Sequence, residues 1–68
     1  MKDYRKNFIE NLKLYMKEKN INHSELARHI NVDHSTVSKW MSGKFEPKLT
    51  NICLMLEFFG CDFKDLIE

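Results

Sequence analysis

The stretch Ser24–Trp40, SELARHINVDHSTVSKW, decides the fold because it holds two short helical patterns separated by only Asn31-Val32-Asp33. Apolar residues recur at helical spacing on both sides of this break. So short a connection does not let two helices lie side by side as an antiparallel hairpin, and we expect them to cross steeply. Ala27 lies where the helices would approach most closely, and a small side chain fits there.

Capping signatures mark the starts of the predicted helices. Asn22 can cap a first turn, Glu25 can bond back to it, and Ile21 can pack on Leu26. The arrangement recurs twice: at Val32-Asp33 with Val37, and at Cys61-Asp62 with Leu66. Three such starts indicate three helices.

Residues that favour a left-handed backbone predict the helix ends. They are Asn20, Asn31, Gly43 and Gly60, and Pro47 precedes a further helical pattern. The chain has no run of alternating β-branched residues. We therefore predict a compact all-α fold, a single domain over residues 1–68 with helices at about 4–19, 22–30, 33–42, 48–59 and 62–67.

Composition limits the class of protein. The chain is 43% hydrophobic and 31% charged, as is usual for soluble domains. Its apolar runs are far shorter than the ~20 residues of a membrane helix, and no signal peptide is visible, so we expect a cytoplasmic protein. Cys53 and Cys61 are predicted to be free thiols. Neither they nor the three histidines have the paired spacing of metal ligands, and we expect no metal and no cofactor.

Charge is distributed unevenly along the chain. The net charge is +1, but residues 1–48 carry +4 and residues 49–68 carry −3. The basic part contains the two-helix stretch. This asymmetry suits a surface that meets a polyanion, although charge imbalance is also common on solvated surfaces.

The predicted helix 33–42 has an apolar face and a polar face. Val37, Trp40 and Met41 form the face expected to be buried, which makes Trp40 a core residue and not a platform for bases. The residues that point away together are Ser35, Ser38, Lys39 and Ser42. Short hydroxyl side chains let a helix approach base edges in the DNA major groove, and lysine can donate to guanine.

These residues together resemble one family. Residues 8–67 are similar to the lambda-repressor-like, Cro-type helix-turn-helix domain. The resemblance rests on Phe8, Leu12, Ile21–Ala27, Asn31–Asp33, Ser35–Trp40, Gly43, Pro47, Leu49, Ile52, Gly60, Asp62 and Leu66. It implies a five-helix domain that binds double-stranded DNA, usually as a homodimer on a pseudo-palindromic operator.

The resemblance also implies roles for individual residues. Base contacts fall to the first turns of the recognition helix: His34, Ser35, Ser38 and Lys39. Phosphate contacts fall to the start of the second helix, to the recognition helix and to the loop after it: Asn22, His23, Thr36, Ser42, Lys44 and Lys48.

Two departures from the family pattern are informative. An arginine and a glutamate that commonly pair in the family are replaced here by Met16 and Met41, so we predict that these two side chains touch. The predicted fourth helix buries the stripe Leu49, Ile52, Cys53, Leu56 and Phe59. Leu54 and Phe58 then lie on nearly the opposite side. Scattered surface hydrophobes are normal, but this pair is predicted to be a self-association surface.

The sequence leaves two functions open. The first is a sequence-specific transcriptional regulator, expected to be a repressor, of a phage, mobile element or bacterial system. The alternative is a protein-interaction module on the same fold, such as an anti-repressor or antitoxin-like partner, which the low net charge favours. An enzyme is not expected, because no acid is placed to orient a base and no glycine-rich elbow presents a nucleophile.

Overall fold

The computed structural model describes residues 3–68, and in that range it contains five α-helices and no strand. They are α1 (Tyr4–Lys19), α2 (His23–Ile30), α3 (His34–Met41), α4 (Leu49–Phe59) and α5 (Phe63–Ile67). The all-α prediction is confirmed. Predicted helices two to five each start one residue early, because each includes the N-cap residue. The predicted third helix also ends one residue late, on Ser42, which is the C-cap of α3. Met1 and Lys2, part of the predicted domain, lie outside the described residues.

Hydrogen bonds at the helix starts match the sequence signatures in part. At α2 the Glu25 amide donates to Asn22 Oδ1 at 2.8 Å, and the Asn22 amide donates to Glu25 Oε1 at 3.1 Å, which is a complete capping box. At α5 the Asp62 amide donates to Asp65 Oδ2 at 3.0 Å. The expectation for Asp33 is wrong in one respect. Its exposed carboxylate makes no capping hydrogen bond. Only its backbone carbonyl accepts hydrogen bonds from the first turn of α3, from the amides of Thr36 and Val37.

The connection between α2 and α3 depends on a left-handed residue. Asn31 has φ 59° and ψ 50°, and the next amide, of Val32, donates back to the Ala27 carbonyl at 2.9 Å. This left-handed residue ends α2 and turns the chain toward the start of α3. Asn20 ends α1 in the same conformation, at φ 55°. The terminators read from the sequence are confirmed.

The core lies where all five helices meet. Helices α2 and α3 pack closely on each other, α1 packs on α5, and α4 contacts both α2 and α5. Within residues 3–68 the buried side chains are all apolar: Phe8, Leu12, Met16, Leu26, Ala27, Ile30, Val37, Trp40, Met55 and Leu66. None of the helices in this range is both long and apolar enough to span a bilayer.

Helix α4 is rotated relative to the predicted stripe. Met55 is fully buried at its centre, whereas Leu49 is 73% exposed and Cys53 is also exposed. Since neighbouring residues of a helix differ by about 100°, turning Met55 inward also brings Phe58, three residues on, to the edge of the core. The predicted stripe is confirmed at Ile52, Leu56 and Phe59, which pack against the core, and is wrong at Leu49 and Cys53. Since α4 is apolar on nearly every side, periodicity alone did not determine its orientation.

Met16 and Met41 line the same groove between α1 and α3. Met16 is buried, and Met41 is partly buried against the core. The structure therefore places the two methionines on one surface, as expected for apolar replacements of an ion pair.

The backbone at Asn31 leads to a first prediction. Asn31→Ala should lower the free energy of unfolding by about 1 kcal/mol, because alanine resists the left-handed conformation and glycine does not. Asn31→Gly, the matched control, should retain the wild-type value in urea unfolding. Equal losses in both variants would mean that the asparagine side chain, and not the backbone conformation, stabilises the turn.

The methionine pair leads to a second prediction. Met16→Arg should lower the free energy of unfolding by about 2 kcal/mol, since the charge has no acidic partner on α3. Adding Met41→Glu should recover much of this loss, and thermal unfolding of the single and double variants measures it. A double variant no more stable than Met16→Arg would show that positions 16 and 41 do not interact.

Candidate functional site

The polar face of α3 is open to solvent. His34, Ser35 and Lys39 are exposed, while Val37 and Trp40 on the opposite face are buried. Trp40 is thus a core residue, as the spacing predicted. The surface that α3 presents consists of short polar side chains and one lysine.

Ser38 differs from its neighbours on this face because it is half-buried and has a partner on α2. Its hydroxyl oxygen lies 3.0 Å from Nδ1 of His23, the first residue of α2. A side chain expected to contact bases and one expected to contact phosphate are therefore bonded to each other. Neither residue type nor spacing indicates this pair, because the contact depends on how α2 crosses α3.

The start of α2 opens into a groove with cationic walls. Lys13 and Lys17 of α1 line it, together with the first residues of α2: Asn22, His23 and Ser24. The capping box occupies the Asn22 and Glu25 amides, so the His23 and Ser24 amides are the first-turn donors left for an anion. No role was predicted for these two lysines from the sequence. Their position beside this helix end follows only from the tertiary packing.

The loop after α3 is held by the first turn of α1. Arg5 Nη2 donates to the Gly43 carbonyl at 2.6 Å, and Arg5 Nε pairs with Glu46 Oε1 at 3.0 Å. The Lys39 ammonium lies 5.6 Å from the centre of the Phe45 ring, within range of a cation–π contact. These contacts fix the path of the loop next to Lys39. Arg5, Phe45 and Glu46 had no assigned role in the sequence.

The residues predicted to contact phosphate lie around this surface. Asn22, Ser42, Lys44 and Lys48 are exposed, and His23 and Thr36 are half-buried. The Ser42 hydroxyl donates to the Lys39 carbonyl at 3.0 Å, and Lys48 precedes the first residue of α4. Among the candidate residues, the structure brings His23 next to Ser38 and Ser42 next to the backbone of Lys39.

The predicted self-association pair is only half exposed. Leu54 is 36% exposed, but Phe58 is partly covered by other residues of the chain. Its ring stacks on His29 with centroids 4.3 Å apart, and the Lys19 ammonium lies 5.0 Å from its centre. The picture of Phe58 as a free surface residue is therefore corrected, because the rotation of α4 turns it toward α2.

The thiol of Cys61 behaves as part of the packing. Burial raises the pKa of this thiol, and the nearby carboxylates of Asp65 and Asp62 raise it further. A hydrogen bond with Tyr15 acts in the opposite direction and lowers the pKa, but the net shift is upward. A raised pKa keeps the thiol protonated near neutral pH, which suits a small packing group and not a nucleophile.

Comparison with known proteins points in one direction. The profile of the family described as helix-turn-helix matches residues 12–66. No curated protein matches the chain. Among solved structures, a hypothetical transcription factor, NHTF, from Neisseria superposes with a TM-score of 0.87 and 27% sequence identity. The match covers 97% of this chain and 76% of that one.

Proposed function

Because the chain belongs to the helix-turn-helix family, in its lambda-repressor-like, Cro-type form, we propose that it is a sequence-specific repressor that reads the DNA major groove with α3. Family membership and the similar transcription factor support a DNA-binding transcriptional regulator. The observation that carries the finer proposal is the open polar face of α3, flanked by a cationic groove and a lysine-bearing loop. We place its action in the cytoplasm.

In this proposal, side chains on the exposed side of α3 contact the DNA bases. His34, Ser35 and Ser38 offer small polar groups that let the helix lie deep in the groove, and Lys39 can donate to guanine O6 and N7. The contact of Lys39 with the Phe45 ring limits the directions in which this long side chain can reach. A restrained lysine loses less conformational entropy when it binds a base.

In this proposal, two groups of residues beside α3 contact the DNA phosphates. On one flank lie the His23 and Ser24 amides, with Lys13 and Lys17 beside them. On the other lies the loop after α3: Ser42, Lys44 and Lys48, with Thr36 on the helix itself. Phosphate contacts set the register of a protein on DNA, and base contacts give specificity.

A homodimer is the proposed assembly, because a two-fold protein matches a pseudo-palindromic operator. The exposed apolar side chains on one side of α4 are the proposed contact: Cys53 and Leu54, with the uncovered edge of Phe58. Neighbouring apolar side chains in solvent on one helix favour a partner surface.

The same exposed apolar residues also favour the second candidate, a protein-interaction module that binds another regulator. Residues 49–68, which carry −3, contain this side of α4. Salt dependence of DNA binding separates the two candidates, because phosphate contacts release counterions and protein contacts through apolar residues do not.

Two lysines give a third prediction, tested on duplex DNA from upstream of the coding region. Lys39→Ala should cost about 1–3 kcal/mol at the cognate site and relax one base preference, because it loses a base contact. Lys44→Ala should weaken all sequences alike and reduce the salt slope by about one. Fluorescence anisotropy across a salt series measures both. A flat salt response of the wild-type chain would reject the repressor in favour of the interaction module.

The apolar side of α4 gives a fourth prediction. The double variant Cys53→Asp, Leu54→Asp should sediment as a monomer at concentrations where the wild type is a dimer, because burying two carboxylates opposes association. Leu14→Asp is the matched control, since Leu14 is 59% exposed but lies on α1. Dimers that persist in the double variant would place the interface elsewhere.

A further inference from the structure

The hydrogen bond between His23 and Ser38 joins two parts of the proposed interface. His23 is the first residue of α2 and lines the cationic groove, and Ser38 lies in the second turn of α3. The Nδ1–Oγ distance is 3.0 Å, and both side chains are half-buried. Close packing of α2 on α3, with Ala27 buried between them, holds the pair in place.

The direction of this bond decides what Ser38 can offer to a base. A serine hydroxyl has one proton and two lone pairs, and a neutral imidazole has one donor and one acceptor nitrogen. If Nδ1–H donates to Oγ, the hydroxyl proton remains available for a base acceptor. If the hydroxyl donates to Nδ1, Ser38 presents only lone pairs and can bind only a base donor.

The groove determines which direction applies on DNA. Nδ1 faces Ser38, so Nε2 is the ring nitrogen left for an anion at the start of α2. Phosphate oxygens only accept hydrogen bonds, and Nε2 must carry the proton to bind one. In the neutral ring Nδ1 is then bare and accepts from the Ser38 hydroxyl.

We propose that His23 is a positioning residue that makes Ser38 a hydrogen-bond acceptor toward DNA, so that Ser38 selects a base with an exposed amino group. In the major groove these groups are cytosine N4 and adenine N6. The phosphate contact of His23 and the base contact of Ser38 are thereby coupled, since the first sets the proton position that the second requires. This assignment rests on the proposed DNA-reading function and adds a specificity determinant to it.

The test selects the purified chain against a pool of duplexes with a randomised central segment. The enriched sequences of the wild type, His23→Ala, His23→Gln and Ser38→Ala are compared. Lys64→Ala serves as the control, because it removes an exposed positive charge from α5, outside the proposed interface. Circular dichroism checks that each variant is folded. If His23→Ala does not fold, His23→Phe keeps a ring and removes both nitrogens.

We expect one operator position at which the wild type prefers cytosine or adenine. Ser38→Ala should lose this preference, and His23→Ala should reduce it roughly 3- to 10-fold at the same position, with guanine and thymine gaining because the freed hydroxyl can donate. His23→Gln should retain the preference, since its amide supplies both an acceptor for Ser38 and a donor for phosphate. Lys64→Ala should leave the motif unchanged.

Three outcomes would overturn the proposal. An unchanged motif in His23→Ala, or in Ser38→Ala, removes the positioning role while the DNA-reading function stands. A loss of preference in His23→Gln equal to that in His23→Ala shows that the ring volume, and not the proton position, matters. A wild-type selection without any enriched motif rejects sequence-specific reading itself.

Discussion

The packing of α2 on α3 through the left-handed turn at Asn31 is the constraint on which the rest of the structure depends. A turn of three residues gives the two helices few alternative arrangements. Ala27 removes the side-chain volume that would separate them, and Val37 and Trp40 bury the inner face of α3. Once that face is fixed, helical geometry leaves Ser35 and Lys39 in solvent. The functional surface is therefore a direct result of the core.

Features encoded within a few residues were predictable from the sequence. The helix ends at Asn20 and Asn31 and the capping box at Asn22 are local hydrogen-bond and backbone effects, and they lie where the sequence indicated. The orientation of α4 was not predictable, because an almost uniformly apolar helix can bury several faces equally well. That one rotation exposed Leu49 and moved Phe58 toward His29.

Contacts between distant segments account for what sequence reasoning missed at the site. The bond between His23 and Ser38 spans 15 positions, and the Arg5 contact with Gly43 spans 38. Neither residue type nor spacing predicts such pairs. The location of charge is equally hard to predict: the net charge is only +1, yet Lys13 and Lys17 line one groove beside the start of α2. Local potential depends on where charges lie, not on their sum.

The amide side chains of Asn7 and Asn11 donate to the carbonyls of Ile67 and Leu66, at 3.0 and 2.9 Å, and tie α5 to α1. A helix of five residues has negligible stability by itself, so α5 persists only while these bonds and the burial of Leu66 persist. Separating α5 from α1 would expose the buried Leu66 to water, so detaching α5 disrupts the core itself. The lifetime of the folded chain then follows overall unfolding, so the turnover of such a regulator would be coupled to the stability of a single cooperative unit.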